Sequence, residues 1–193
     1  MSDREIILEG YTRVSDILEP FSGYGSVPEH ILKKAANRGT RVHQIAEAYV
    51  KGIMPLEDSE LKGYVDSFLE WRGDKKIIMP NRFYDKVLRI TGKIDGLYQD
   101  LTTGDYTLID FKTSTKEGKM WALQGAAYLY LAEIVGCYPV TRIEFIRLPK
   151  DGKKAEIYDY SANSGENFSQ FKEMVRMYHQ FFSKKENVEW EYI

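Results

Sequence analysis

At 193 residues, 43% hydrophobic and 13% aromatic, the chain is long enough for one well-buried core and too short for two full-sized domains, so a single domain over residues 1–193 is expected. Its one cysteine, Cys137, excludes an intramolecular disulfide or a cysteine-only metal cluster within one chain and is expected to be a small core residue. A formal net charge of −2, from 27 basic and 29 acidic residues, excludes the strong basic excess usual in duplex binders.

The predicted elements begin with a helix over residues 38–51, where Val42, Ile45, Ala46 and Tyr49 recur on one face and Thr40 stands as a candidate N-cap. Gly52 and Pro55 end it. A second helix is predicted over 56–72, with Leu61, Tyr64, Val65, Phe68 and Leu69 at helical spacing and a stop at Gly73-Asp74. Residues 82–88, 89–98 and 106–113 are short, β-branched or aromatic, and divided by polar turns, so they read as a meander of strands. A long helix over 119–135, closed by Gly136, comes next. A strand over 141–148, a turn at Asp151-Gly152 and a strand over 155–160 lead to a last helix at 165–182. This order implies an α/β fold in which the helix at 119–135 crosses over the sheet. There is no internal repeat and no apolar run of membrane-spanning length. Met1-Ser2-Asp3-Arg4-Glu5 lacks the basic-then-apolar order of a signal peptide, so a cytoplasmic protein without membrane contact is expected.

Charge is unevenly spread. Residues 33–41 carry four positive charges and no acid, and residues 112–119 carry three positives and one acid, whereas 57–74 holds six acids. Such asymmetry allows a local phosphate-binding groove on an acidic body, with Arg38, Lys116 and Lys119 as candidate contacts; a set of solvated faces would look the same.

The central hairpin carries the chemistry. Asp110 and Lys112 lie two apart on a strand and leave one face, while Ile109 and Phe111 leave the other. If the turn is Leu101-Thr102-Thr103-Gly104, Asp100 faces Asp105 and Asp95 stands opposite Asp110, with both carboxylates on one face. A divalent cation between them would relieve their repulsion, while a register slip of one residue would part them. The metal-free alternative is an ion pair between Asp110 and Lys112. Gln124 and Tyr128, four apart, share a helix face; Tyr128 could equally be packing, and His43 a satisfied histidine beside an apolar stripe.

In order along the chain, Arg38-Gly39-Thr40-Arg41-Val42-His43, Gly92-x-x-Asp95, Asp110-Phe111-Lys112 and Gln124-x-x-x-Tyr128 resemble the RecB-like branch of the PD-(D/E)XK nucleases, as does the opening stretch from Tyr11 to Leu18. The resemblance covers about residues 11–148 and implies a restriction-endonuclease-like core, a central mixed β-sheet flanked by helices. It further implies that His43, Asp95, Asp110 and the main-chain carbonyl of Phe111 hold Mg²⁺ or Mn²⁺, with Asp95, Asp110 and Lys112 catalytic. Gln124 and Tyr128 would then contact DNA near the scissile phosphate. The implied activity is that of a stand-alone exodeoxyribonuclease of the phage or genome-maintenance kind, with a recombination partner protein or oligomer expected around it. Two departures stand out: Asn81 and Arg82 follow Pro80 where many relatives carry a glutamate, and a four-cysteine iron-sulfur clasp cannot be built. Glu47, one helical turn beyond His43, is a candidate substitute for the missing acid. The other reading is a catalytically weak nucleic-acid-binding or assembly module on the same fold.

Overall fold

The computed structural model describes residues 10–182, so the N-terminal stretch Met1 to Glu5 used above lies outside the described residues. Five strands form the main sheet in the order β2-β5-β6-β7-β8: β2 (Ile77–Ile78), β5 (Gly96–Gln99), β6 (Tyr106–Lys112), β7 (Val140–Arg147) and β8 (Glu156–Asp159). β5 and β6 are antiparallel and β6 and β7 parallel, so the sheet is mixed. The parallel step needs a crossover, supplied by α4 (Trp121–Tyr130). Three further strands, β1 (Thr12–Arg13), β4 (Ile90–Gly92) and β3 (Phe83–Asp85), make a small second sheet in that order. The other helices are α1 (Val14–Leu18), α2 (Glu29–Val50), α3 (Lys62–Arg72) and α5 (Ser164–Phe181). The hairpin, crossover helix and parallel return strand, flanked by helices, have the layout of a restriction-endonuclease-like α/β core.

Strand parity divides the apolar residues between two cores. Leu97, Leu108, Ile143 and Phe145 pack with α1, α4 and α5, whereas Ile109, Phe111 and Ile146 pack with Val42 and Ala46 of α2 and Phe68 and Trp71 of α3. The central strand β6 is therefore buried on both sides, with Leu108, Ile109 and Phe111 all fully inaccessible. Asp110 and Lys112 share the parity of Leu108 and face α4.

The structure corrects several expectations. α2 starts at Glu29, after Pro28, and Thr40 is interior rather than capping; the first turns are polar and basic, so they lack the apolar period that marks a helix. α3 starts at Lys62, because Asp58 organises a turn by accepting from the Glu60 and Leu61 N–H groups, and Leu56 is left 95% exposed. The meander is split: β3 and β4 belong to the small sheet, and the chain breaks at Lys93-Ile94-Asp95 before β5 enters the main sheet. α4 ends in a π-helical turn over Leu131–Val135, and the left-handed residue after it is Cys137, at φ 56°, rather than Gly136. Gly136 is needed for space, since a Cβ there would sit 2.6 Å from Phe83 Cε1. Cys137 is exposed rather than core, because it lies beyond the last helical turn.

Gly63, in the first turn of α3, touches the main chain of the β7–β8 connection: a Cβ on it would lie 1.8 Å from the Lys150 carbonyl oxygen. Gly63→Ala should therefore destabilise the protein by about 1–3 kcal/mol, overpacking outweighing a helix-propensity gain of about 1 kcal/mol. Urea denaturation would check this, and an unchanged or raised midpoint would contradict the contact.

Candidate metal and catalytic site

Four segments converge at one end of the β5–β6 hairpin. The pairing runs from Gln99↔Tyr106 to Gly96↔Ile109, and one further step sets Asp95 opposite Asp110 in the counted register. Asp95 is no longer laddered by its backbone. Its Oδ2 instead accepts the Phe111 N–H at 2.7 Å, so the side chain takes over where the strand ends.

α2 brings His43 to the same oxygen, with Nε2 2.8 Å from Asp95 Oδ2. The other ring nitrogen, Nδ1, lies 2.7 Å from the Gly39 carbonyl, one turn earlier. A carbonyl can only accept, so Nδ1 carries a proton and Nε2 is turned into the site. The link before Asp95 is fastened to α2 as well, since Lys93 Nζ donates to Glu47 at 2.9 Å. Glu47 also binds Lys51, and its carboxylate is thus committed to two ammonium groups. It does not join the His43, Asp95 and Asp110 group.

On β6, Asp110 is buried, and its Oδ2 lies 2.7 Å from Lys112 Nζ as an ion pair without the direction of a good hydrogen bond. Lys112 donates instead to Gln124 Oε1 at 2.8 Å, and Gln124 Nε2 donates to the Tyr128 hydroxyl oxygen at 3.0 Å. Lys112 Nζ is also 4.7 Å from the Phe145 ring centre, a cation–π contact. The two α4 residues hold the ammonium beside the acid. Tyr128 is itself buried, and burial followed by the charge of Asp110 raises its pKa, keeping the hydroxyl protonated.

Electrostatics favour a cation here. Burial pushes the Asp110 pKa up, with Asp95 adding to the rise and Lys112 and His43 opposing it. Burial alone would lower the His43 pKa, but Asp95 and then Asp110 outweigh it and raise it from 6.5 to about 9. One ligand atom from each of His43, Asp95 and Asp110 lies within 4.8 Å of the others. The His43 and Asp95 atoms are already 2.8 Å apart, so closer approach of the Asp110 oxygen would let the three share one ion. The mixed oxygen and imidazole set, with one carboxylate oxygen lacking a good hydrogen bond, fits a divalent cation.

The remaining predicted residues lie around this centre. Phe111 contributes its N–H to Asp95 while its side chain is buried on the opposite face. Arg38 donates to the Thr113 carbonyl at 3.3 Å and lies over the Tyr64 ring. Arg38, Lys119 and Gln124 line one side of a largely apolar cavity of about 640 Å³ between α1, α2 and the loop before α4. Lys116 is exposed on that loop and does not line the cavity. Asn81 is exposed before β3. Sequence reading gave no role to Gly39, Lys93 or Arg82; that of Gly39 was legible from its four-residue spacing to His43, whereas Arg82 acts across the fold, favouring ionisation of Tyr128.

No protein-family model matches the chain, and no curated protein does. Among solved structures, one titled "Crystal structure of SSO0001" is 14% identical with a TM-score of 0.44, covering 90% of this chain and 82% of that one. Another, titled "Crystal Structure of LHK-Exo in complex with dAMP", is 10% identical with a TM-score of 0.34, covering 91% of this chain and 94% of that one. Likeness at this level carries no argument about activity, which rests on the geometry above.

In metal-free protein the His43 ring should titrate near pH 9, and Asp95→Asn should bring that value down markedly. Because the folded value is raised, the pair's contribution to stability is complete below about pH 6.5 and is lost as pH rises through about 9. NMR titration of the imidazole would check this, and an ordinary value in the wild type would contradict the His43–Asp95 pairing.

Proposed function

We propose that the chain is a divalent-metal-dependent deoxyribonuclease, most specifically an exonuclease, that hydrolyses DNA phosphodiester bonds using Mg²⁺ or Mn²⁺. The observation that carries this reading is the convergence of His43, Asp95 and Asp110 within 4.8 Å, with Lys112 paired to Asp110. His43 Nε2, the Asp95 and Asp110 carboxylates and the Phe111 carbonyl would hold the ion. When bound, it would polarise the phosphate, lower the pKa of a coordinated water and offset charge growing on the leaving oxygen. Lys112, fixed by Gln124, orients the attacking water and assists its deprotonation. Gln124 and Tyr128 set the position of that ammonium and, with Arg38, Lys116 and Lys119, contact the nucleic acid.

A second reading has its own support. Lys112 pairs with Asp110 and is held by Gln124 and Tyr128 without a metal, and Asn81 stands where the resemblance expects an acid, as suits a nucleic-acid-binding module with little catalysis. DNA labelled at either end, incubated with Mg²⁺, Mn²⁺ or EDTA, separates the two. The nuclease reading expects metal-dependent release of nucleotides from an end, lost in EDTA and lowered about 100-fold or more by Asp110→Asn or Lys112→Ala. Folded wild-type protein that is inert with single strands and duplexes alike would overturn it, and retained binding would then favour the module.

A further inference from the structure

The first half of α2, before Gly39 and His43 enter the site, is strongly basic in an acidic chain. His30, Lys33, Lys34, Asn37, Arg38 and Arg41 all line one cleft of about 810 Å³, and their spacing of three or four residues puts them on one helix face. The opposite wall includes Tyr64 and Lys150, which Gly63 brings against α3. Glu60 is the one acid in the lining, and it pairs with Arg41, which also binds Asp58. Among the described residues, Lys33, Lys34 and Lys150 form no ion pair, and all three are exposed. The cationic surface is therefore open, while Arg41 closes one end.

We propose that this cleft is a backbone-tracking site that holds phosphates of the DNA outside the scission centre, a reading that rests on the nuclease function above. From residue 30 to residue 41 the helix rises about 16 Å, long enough to meet more than one phosphate along a strand. The cleft lies on a different face of α2 from His43, so a strand held there reaches the site by passing Arg38. Arg38 lines both the cleft and the cavity that reaches Gln124, so it stands at the junction between bound strand and reacting phosphate. The open cationic contacts are the ammonium groups of Lys33, Lys34 and Lys150, which meet phosphates as point charges, so the track should read backbone and not sequence.

The test uses the combined variant Lys33→Gln, Lys34→Gln and Lys150→Gln, whose melting temperature is checked against the wild type. Anisotropy of labelled single-stranded and duplex DNA is measured across a salt series in EDTA, where hydrolysis is suppressed. Each lost phosphate contact should reduce the slope of log K against log salt by about 0.9 on duplex or about 0.7 on single strands, a total of about two to three. Affinity should fall at least about tenfold, and with metal present KM should rise while kcat at saturating DNA stays unchanged. Wild-type affinity and slope in the folded variant would overturn the tracking site, whether or not the protein cuts DNA. A reduced slope in a protein that never cuts would support the track and overturn only the nuclease reading.

Discussion

Two carboxylates held face to face are the constraint around which this molecule is arranged. With donor atoms within 4.8 Å, Asp95 and Asp110 repel by at least about 3 kcal/mol at an effective dielectric near 20, and Asp110 has little water to soften that. Every neighbouring group answers this cost. His43 and the Phe111 N–H take Asp95, while Lys112 takes Asp110 and is itself steadied by Gln124. These partners compensate incompletely, since one Asp110 oxygen lacks a well-directed hydrogen bond and its pKa remains raised. A divalent cation bound there would supply what the protein's own groups leave unmet.

The fold serves that constraint through α2 and the split between the sheets. Gly39, His43 and Glu47 recur every four residues on α2: Gly39 orients the His43 ring, and His43 and Glu47 fasten the Lys93 to Asp95 link at two points. That link is where the chain leaves the small sheet for the large one, so its backbone is free to bend and aim Asp95 at the end of β6. Parity on β6 then separates chemistry from packing: Ile109 and Phe111 anchor the strand in one core while Asp110 and Lys112 face α4. Another face of α2 carries the basic residues, so a single helix bears both the proposed metal ligand and the cationic cleft.

Much of this was legible in the sequence for local reasons. The register of the β5–β6 hairpin followed from its turn, and Asp95 opposite Asp110 followed from counting, because both depend on near neighbours. The four-residue spacing of Gln124 and Tyr128 likewise announced their shared contact. What escaped was decided at a distance. The start of α2 is set by Pro28 in a polar stretch without apolar period, and the division of the meander into two sheets depends on pairing with β1, far upstream. Glu47, spaced as a ligand, was taken instead by Lys51 and by Lys93, a partner 46 residues away. Cys137 looked apolar enough for the core and was put outside it by a left-handed turn after the helix.

The central claim is that His43, Asp95 and Asp110 form one metal site. It is tested most directly by a crystal structure of the protein soaked in Mn²⁺, with the ion located by its anomalous scattering. The account predicts a single strong peak bonded to His43 Nε2 and to both carboxylates, absent from Asp110→Asn crystals. A wild-type crystal in which Mn²⁺ binds elsewhere, or in which His43 and Asp95 stay paired and exclude it, would contradict the account.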